Sequence, residues 1–511
     1  MQSQSPFAIL IKVVLLGAID AVAVWAGIEL VLSANYSMLA VLVVGTGLLN
    51  ALVLSKKAYP FRYMAPALVF LFGMVVYPIL YTGYVSLTNL QTGNLLPKHM
   101  VIETFENRFV LAEDAEQFTY SAFVDEGDGM ALVLESETTG ERLLYENGDT
   151  GPLDMDDPRL TLDDEGTVTG LLGYEPANKY AISSRLDALS IPFGDYVLRH
   201  SLFKFSKNTK QYSFDESSDT LTDLTTGAVY SPIEGTFTSE DGTELEPGFQ
   251  AWIGFRNFGV LFSNAALRKD FGRVFAWTIV WSLFSVFLSF SLGLGLALLL
   301  NDRKLRARVI YRTLLIVPYV MPVFISALVW RGMFNTQFGI INRLFNDLFG
   351  VTFRWLDTPM LARGVLIFIN VWLSFPYMML ISLGALQSIP GQLYEAARVD
   401  GAGMFRRFSK VTLPLLMISL APLLIGSFAF AFNNFTLIYL VTAGRPAVLG
   451  AASPAGATDI LISWTYRIAF QGGSGNQLGL ASAVSILIFV MIGTMSAIGF
   501  RFTKRLEEVY K

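Results

Sequence analysis

Long apolar runs alternate with short polar connections along most of the chain. Eight runs are long enough to cross a bilayer, since a helix needs about 20 mostly apolar residues to do so. They lie near residues 8–32, 38–55, 66–88, 274–300, 313–334, 364–387, 413–441 and 478–500. The pattern predicts an all-α polytopic membrane protein with about eight transmembrane helices, interrupted by one long polar segment.

That polar segment, residues 89–272, has a different periodicity. Short alternating stretches, such as 131–134 and 142–145, are separated by Gly-Asp, Thr-Gly and Asp-Gly pairs. Such pairs form tight turns between strands, so a large, mostly β domain is predicted. The chain is thus divided into helices 1–3 (residues 1–88), a β-rich domain (89–272) and helices 4–8 (273–511). The domain is either a solvated cap or, as we favour, a docking surface.

Composition supports a location in the membrane. Hydrophobic residues make up 53% of the chain, charged residues only 15%, and the mean hydropathy is +0.49. A soluble chain of this length needs more charge to cover its surface. The chain has no cysteine, which excludes disulfides and thiolate chemistry. His99 and His200 lie outside the apolar runs, and no metal site is predicted.

Charge predicts the orientation. Lys and Arg cluster in the short connections after runs two, four, six and eight: Lys56, Lys57, Arg62, Arg303, Lys304, Arg306, Arg308, Arg312, Arg398, Arg406, Arg407, Lys410, Arg501, Lys504 and Arg505. Because basic short loops stay in the cytoplasm, both termini are predicted to be cytoplasmic. Residues 90–272, predicted to lie outside, hold 32 acidic and 13 basic residues, a balance of −19 against −5 for the whole chain.

The connection between runs six and seven contains EAARVDGAGMFRRFSKVTLPLL, residues 395–416. Pro390 suits the first turn of a helix, and Gly401 or Gly403 can take the positive φ that reverses the chain. Pro414 marks the predicted start of span seven. A second short helix is predicted from apolar residues at helical spacing: Met404, Phe405, Phe408 and Val411. By pattern alone, a segment lying on anionic lipid headgroups is about as well supported as a protein-docking element.

Glu395-Ala396-Ala397, then Gly401 and then Val411-x-Leu413-Pro414, resembles the EAA signature of importer-type ABC permeases. In that family the loop is the socket for a cytoplasmic ATPase. The resemblance therefore implies a coupling loop over 388–414. Its ATPase-coupling residues are Glu395, Ala396, Ala397 and Gly401.

Other strings resemble the permease subunits of maltose transporters. They are SKKAYPFRYM (55–64), VPYVMPVFIS (317–326), WLSFPYMM (372–379), FAFAFNNFTLIYL (428–440) and SPAGATDILISWTYRIAFQGG (453–473). The order of three spans, a large exterior domain and five further spans is similar too. The match covers most of residues 55–500 and is weak in span one and in the body of the β-rich domain.

The resemblance implies a type I ABC importer permease that moves maltose or maltodextrins across the inner membrane. Its implied partners are a second permease subunit, two ATPase subunits, a periplasmic maltose-binding protein and membrane lipid. No cofactor is expected on this chain, since ATP and Mg belong to the ATPase and the chain lacks the G-x-x-x-x-G-K-[ST] phosphate loop. Gly293-x-Gly295 in span four is interpreted as a close helix contact.

Polar and aromatic residues inside spans are functional candidates, although from the pattern alone helix packing explains them better. The family's sugar-contacting positions match residues in spans five, six and seven: Tyr319, Trp372, Tyr377, Ser427, Phe430 and Asn434. Two positions depart, because Val323 and Ala431 stand where the maltose permease has Ser and Asn. Asp20, in span one, is given no role.

Two alternatives remain open. One is the same machinery carrying another α-glucoside, such as trehalose. The other is a membrane-anchored enzyme or sensor, for which the exterior segment lacks a nucleophile–His–acid set. The segment also lacks the basic stripe that binds nucleic acid, so no nucleic-acid partner is predicted.

Overall fold

The computed structural model describes residues 6–33, 36–55, 59–113, 116–125, 127, 129–146, 148–163, 166–194, 196–201, 203–302, 305–451, 453–472 and 475–509. The chain divides into two compact units, Met1–Tyr84 and Val85–Lys511. Each unit is described by itself.

The first unit consists of apolar helices. They are α1 (Pro6–Leu32), α2 (Tyr36–Leu54), α3 (Tyr59–Leu71), a π-helical turn (Phe72–Val76) and α4 (Tyr77–Ser86). A polar contact joins α1 and α2, because Asn50 Nδ2 donates to Asp20 Oδ1 at 2.7 Å. Asp20 therefore has a hydrogen-bond partner inside an otherwise apolar helix pair, where an unpaired carboxylate is costly.

The β-rich part begins after α4. It holds α5 (Lys98–Glu106), α6 (Ser183–Ala188) and the strands β1 (Phe109–Leu111), β2 (Gln117–Val124), β3 (Met130–Ser136), β4 (Arg142–Glu146), β5 (Asp149–Pro152), β6 (Leu160–Leu162), β7 (Val168–Leu171), β8 (Glu175–Pro176), β9 (Ser190–Phe193), β10 (Tyr196–Ser201), β11 (Lys204–Lys210), β12 (Tyr212–Asp215), β13 (Thr220–Asp223), β14 (Val229–Ile233), β15 (Thr236–Ser239) and β16 (Glu244–Leu245).

These strands form antiparallel sheets, as the turn-rich sequence predicted. The largest has nine strands in the order β5-β4-β3-β2-β11-β10-β9, with β1 on β11 and β8 on β2. Strands β12 to β16 form a five-stranded meander, and β6 pairs with β7. The two stretches singled out in the sequence pair with each other, since Leu132 of β3 lies opposite Tyr145 of β4.

Strand β3 is buried on both faces. Leu132 and Leu134 point into one hydrophobic cluster, and Ala131 and Val133 into another. Successive side chains of a strand point to opposite faces, so a strand that is covered on both sides is apolar throughout. This explains the run Ala131–Leu134, which carries no polar residue.

A hydrogen-bonded joint, residues 86–94, connects the β-rich part to the helices. Asn89 Nδ2 donates to the carbonyls of Glu234 (2.8 Å) and Phe249 (3.0 Å), and its Oδ1 accepts from the Ala251 amide at 2.8 Å. On the helical side, Gly479 N donates to Leu90 O at 2.8 Å. The joint is therefore bonded to both the five-stranded sheet region and the last helix.

Asn89→Ala is expected to loosen the joint. The change removes three hydrogen bonds and leaves the half-buried Ala251 amide without its side-chain acceptor, a cost of about 1–3 kcal/mol. Amide hydrogen exchange at Ala251 in the full chain should accelerate. Asn178→Ala is the matched control, because the Asn178 side chain accepts from Tyr180 N within its own turn. An unchanged exchange rate at Ala251 would contradict this role.

The second unit continues with helices. They are α7 (Arg256–Ser263), α8 (Ala265–Leu300), α9 (Arg308–Val320), α10 (Val323–Met333), α11 (Ile340–Phe349), α12 (Pro359–Gln387), α13 (Gly391–Val399), α14 (Met404–Arg407), a π-helical turn (Phe408–Thr412), α15 (Leu413–Phe432), α16 (Phe435–Val441), α17 (Leu461–Gln471) and α18 (Leu478–Val509).

Six helices of the described chain are long and apolar enough to span a membrane, and the bent pair α9–α10 is a seventh if it counts as one span. The shorter apolar helix Met38–Leu54 occupies the place of the second predicted span. Span four begins at Ala265, earlier than the predicted residue 274, because Asn264 Oδ1 caps the helix by accepting from Ala266 N and Leu267 N.

Helices α8 and α12 form a parallel pair. Arg363 of α12 lies 4.6 Å from the ring of Trp277 on α8, and Gly293 lies against Met378. A Cβ on Gly293 would come within 2.6 Å of Met378 Cβ and of the Met379 backbone nitrogen. The interpretation of Gly293 as a close helix contact is thus confirmed, whereas nothing lies within 4 Å of a Cβ on Gly295.

Buried ion pairs hold the connection between α16 and α17. Asp459 Oδ2 accepts from Arg467 Nη1 at 2.8 Å, and its Oδ1 accepts from Ser463 Oγ at 2.8 Å. Burial raises the pKa of the Asp459 carboxyl, and the Arg467 guanidinium opposes that rise. Asp270 of α8 likewise pairs with Arg273 and accepts from Ser453 Oγ. These contacts fix the helix ends around the core.

Candidate functional site

A cavity of about 580 Å³ lies among α8, α9, α10, α12, α15 and α16. It combines aromatic rings with hydroxyl and amide groups. The side chains that line it are Ser285, Val286, Ser289, Pro318, Tyr319, Met321, Val323, Asn370, Leu373, Ser374, Tyr377, Met378, Pro422, Leu423, Gly426, Ser427, Phe430, Ala431, Asn434 and Thr436. Its size suits a small organic ligand.

Span five is broken where it meets the cavity. The span predicted over 313–334 consists of two helices, since α9 ends at Val320, α10 begins at Val323, and the two are bent by 90°. Pro322 supplies no N–H and restricts the residue before it, which explains the break. The bend leaves Tyr319 on the cavity wall, where its ring stacks on Tyr377 with centroids 6.2 Å apart.

Span seven also stops at the cavity. It was predicted to run to 441, but α15 ends at Phe432 and α16 begins at Phe435. Asn434 caps α16, since its Oδ1 accepts from Leu437 N at 3.3 Å. Its Nδ2 donates to Asn370 Oδ1 at 3.2 Å, which ties the break to α12. A helix break at membrane depth is tolerated where it lines a cavity, and the residues around this break do so.

Five of the six predicted sugar-contacting residues meet in this cavity: Tyr319, Tyr377, Ser427, Phe430 and Asn434. Phe430 is 76% exposed there. Trp372 is not among the lining residues, and its indole packs edge-on against Trp330 with centroids 5.4 Å apart. The two departures, Val323 and Ala431, do line the cavity and contribute apolar side chains to its wall.

The sequence prediction missed several polar lining residues: Ser285, Ser289, Asn370, Ser374 and Thr436. Two of them, Ser285 and Ser289 on α8, belong to a pattern that the sequence shows. Together with Thr278 and Ser282 they form a stripe of small polar residues at helical spacing, inside a span otherwise made of large apolar residues. All four side chains of that stripe are fully buried.

The coupling loop is a helix–turn–helix. Helix α13 ends at Val399, and Gly401 takes a left-handed backbone with φ of +74°. The amide of Ala402 donates to Ala397 O at 2.9 Å, and that of Gly401 donates to Arg398 O at 3.0 Å. This pair of bonds is the Schellman motif, which favours glycine at the left-handed position. Of the two predicted reversal points, Gly401 makes the turn.

The second half of the loop differs from the prediction. Met404–Phe432 is one continuous helical segment that includes a π-helical turn, so Pro414 does not separate a short helix from span seven. Pro390 lies at the N-cap of α13, just before the first turn. Thr412 Oγ1 donates to Tyr394 Oη at 3.2 Å and holds the two arms together.

The tip of the loop is exposed and partly apolar. Glu395, Ala396 and Gly401 are exposed, and Ala397 is half-buried. Large apolar side chains beside them are bare: Val399 is 89%, Met404 80% and Phe405 81% exposed. Exposed apolar groups rimmed by charged residues are typical of surfaces that bind another protein.

Multiple membrane helices, two of them broken around a polar cavity, and an exposed helix–turn–helix define a transport permease. Residues 289–508 match the family described as "Binding-protein-dependent transport system inner membrane component". Curated relatives match over nearly the whole chain. The maltose/maltodextrin transport system permease protein MalF of Escherichia coli K12 is 39% identical over 467 residues, which is 88% of each chain.

The MalF of Vibrio cholerae is 36% identical over 473 residues, 89% of this chain and 87% of that relative. Among solved structures, the chain is similar to a bacterial ABC transporter involved in the import of the polysaccharide alginate. That similarity covers 50% of this chain and 84% of the other, at 24% identity and a TM-score of 0.43.

The chain therefore belongs to the MalF family of binding-protein-dependent inner-membrane transport components. It is a multi-pass membrane protein and a non-catalytic permease subunit of an ABC importer, and it works with the partner proteins of such transporters.

Proposed function

We propose that this permease carries maltose and maltodextrins through the cavity among α8, α10, α12 and α15. The observation that carries the proposal is the convergence of Tyr319, Tyr377 and Phe430 with Ser427 and Asn434 in one cavity. The names of the relatives support the same cargo. The chain binds this cargo transiently and passes it on.

The chemistry of the cavity suits a sugar. Each pyranose ring has an apolar face that stacks on aromatic rings such as Tyr377 and Phe430. Its hydroxyls need polar partners, which Asn370, Ser374 and Asn434 supply on the same wall. Such a site binds weakly enough to release its ligand, because no charged side chain is among its lining residues.

The coupling loop is proposed to receive the ATPase. Glu395, Ala396 and Gly401 are exposed at the tip, and Ala397 lies half-buried behind them. The small side chains allow another chain to approach closely, and the bare Val399 and Phe405 add apolar area. Closure of the ATPase on ATP and Mg would then move α13 and, through the Tyr394–Thr412 contact, α15. The chain itself is proposed to bind no cofactor.

The proposed partners are a second permease subunit (MalG-like), two ATPase subunits (MalK-like), a periplasmic maltose-binding protein and membrane lipid, without nucleic acid. Both termini are proposed to be cytoplasmic, with the acidic β-rich domain outside. In that orientation the basic connections and the coupling loop face the ATPase. The proposed division remains 1–88, 89–272 and 273–511.

A second cargo is favoured by one observation. Val323 and Ala431 give the cavity two apolar positions where the maltose permease has polar groups. A wall with fewer donors fits a disaccharide with a different arrangement of hydroxyls, such as trehalose. Both cargoes use the same path, so a transport comparison separates them.

The test is transport by the complete complex in liposomes, with maltose, maltotriose and trehalose as cargo. Tyr377→Ala and Asn434→Ala are each expected to slow transport of the preferred sugar about tenfold or more, as the loss of one anchoring contact of about 1.4 kcal/mol would. Tyr311→Ala and Asn346→Ala are matched controls outside the cavity-lining set. Full transport by both cavity variants would overturn the proposed path.

A further inference from the structure

Helix α8 carries a stripe of four small hydroxyl side chains. Thr278, Ser282, Ser285 and Ser289 lie at helical spacing, and each is fully buried. The stripe divides into two pairs that differ in hydrogen bonding. The difference in hydrogen bonding indicates which hydroxyls are available to a ligand.

The first pair is satisfied within the protein. Thr278 Oγ1 donates to Val274 O at 2.7 Å, and Ser282 Oγ donates to Thr278 O at 2.8 Å. Thr278 Oγ1 also accepts from Leu461 N at 3.0 Å. Donation to the carbonyl four residues earlier is the ordinary way in which a hydroxyl is paired inside a helix.

The second pair makes no such bond. In the described part of the chain, the Oγ atoms of Ser285 and Ser289 are buried without a hydrogen-bond partner. The same backbone carbonyl is open to any helical serine, yet neither uses it. A buried hydroxyl without a partner is destabilising, so a ligand that reaches it can supply the missing bond. Ser326 and Ser382 are also buried and unpaired, but they are not among the residues that line the cavity.

The unpaired hydroxyls coincide with the cavity. Ser285 and Ser289 are among the residues that line it, whereas the paired Thr278 and Ser282 are not. The Oγ atoms of Ser285 and Ser289 are buried, so each hydroxyl has to rotate to reach the cavity. A serine has a single χ1 bond with three staggered positions, so one rotation redirects each hydroxyl.

Two other polar side chains of the cavity already bond within the protein. Ser427 Oγ donates to Leu423 O at 2.8 Å. Asn434 bonds to Asn370 through Nδ2 and to Leu437 N through Oδ1. Val323 and Ala431 offer no polar side-chain atom. Among the described residues that line the cavity, Ser285 and Ser289 carry hydroxyls that are both buried and unpaired.

We propose that Ser285 and Ser289 are specificity-determining residues, which hydrogen-bond to hydroxyl groups of the sugar when it occupies the cavity. The inference rests on the proposed function, because it takes the cavity to be the sugar path. It deepens that function by assigning hydroxyl recognition to α8, a helix that carries none of the residues that the family resemblance indicates.

The experiment compares Ser285→Ala, Ser289→Ala and the double variant in the reconstituted full transporter. The cargoes are maltose and a set of monodeoxy maltoses, each lacking one hydroxyl. The double variant is expected to transport maltose about threefold to tenfold more slowly, the loss that follows from one or two neutral hydrogen bonds. For at least one monodeoxy maltose, wild type and variant should transport at the same rate, because the sugar side of the bond is already missing.

Two controls separate recognition from structure. Ser282→Ala removes a buried but paired hydroxyl of the same stripe, and Ser382→Ala removes a buried, unpaired hydroxyl outside the cavity-lining set. Neither should change the ranking of the sugars. The melting temperature of the sugar-free complex is expected to stay equal or to rise in Ser285→Ala and Ser289→Ala, because an unpaired buried hydroxyl is lost.

The outcomes are distinguishable. Wild-type maltose transport by the double variant, or an equal slowing for every deoxy sugar, would overturn the inference. If Tyr377→Ala and Asn434→Ala slow transport while the serine variants do not, this inference alone fails. If all four variants transport normally, the cavity is not the path, and the proposed function fails with it.

Discussion

Transport and ATPase association are expected to be lost when Glu395→Lys and Gly401→Asp are combined. Both positions are exposed, and nothing lies within 4 Å of a Cβ added to Gly401. The φ of +74° makes a side chain there strained by about 1 kcal/mol, which the fold tolerates. The damage falls on the docking surface, where a reversed charge and a new buried carboxylate each cost about 2–5 kcal/mol of binding.

Two measurements check this expectation: co-purification of the ATPase with the permease, and ATP-driven transport in liposomes. Asp347→Lys with Gly350→Asp is the matched control. Gly350 also ends an exposed helix, α11, with φ of +67° and nothing within 4 Å of an added Cβ. Intact association and transport in the Glu395–Gly401 variant would remove the coupling proposal.

Gly293→Ala is expected to prevent stable packing of the membrane helices. The added Cβ would lie 2.6 Å from Met378 Cβ and from the Met379 backbone nitrogen. The backbone of α12 cannot rotate away from the new methyl group as a flexible side chain could. Helices α8 and α12 must therefore move apart where they touch. Over-packing of this kind costs about 3 kcal/mol or more, and the loss reaches the core cluster around Met379 and Leu383.

The measurement is the yield and melting temperature of the purified complex. Gly295→Ala provides the comparison, since it adds the same methyl group two residues away, where nothing lies within 4 Å. We expect Gly293→Ala to lower the melting temperature sharply and Gly295→Ala to leave it unchanged. Equal stability of the two variants would show that the helices accommodate the methyl group.

Hydropathy predicted where the spans lie but not where they break. Residues 313–334 and 413–441 are mostly apolar, so hydropathy by itself indicates two spans and no break in either. Pro322 and Asn434 interrupt them through local chemistry, a missing N–H and a side-chain cap, which leave the average hydropathy unchanged.

The candidate site was predicted in part for a similar reason. Aromatic and amide residues inside spans are conspicuous, and five of six such positions meet in the cavity. Trp372 is also an aromatic residue inside a span, but its indole packs edge-on against Trp330 and is not among the residues that line the cavity. Ser285 and Ser289 escaped notice because a small hydroxyl among Phe and Leu residues usually bonds within its own helix.

In the β-rich part, local turn chemistry predicted the hairpins but not the sheet order. The pairing of β2 with β11 joins residues that are far apart in sequence, such as Phe118 and Phe205. Such pairings depend on the complete set of apolar faces and leave no short-range pattern. The strands of the described chain nevertheless lie between Phe109 and Leu245, inside the predicted segment.

The joint at residues 86–94 has a mechanical consequence. The joint is not a flexible linker, because Asn89 is bonded to the sheet side and Leu90 to Gly479 at the start of α18. A force applied to the β-rich domain is therefore transmitted through the joint. A ligand that tilts the domain would therefore lever the last membrane helix directly. The β-rich domain is thus mechanically connected to α18, and the stiffness of the joint determines how much of a domain tilt reaches that helix.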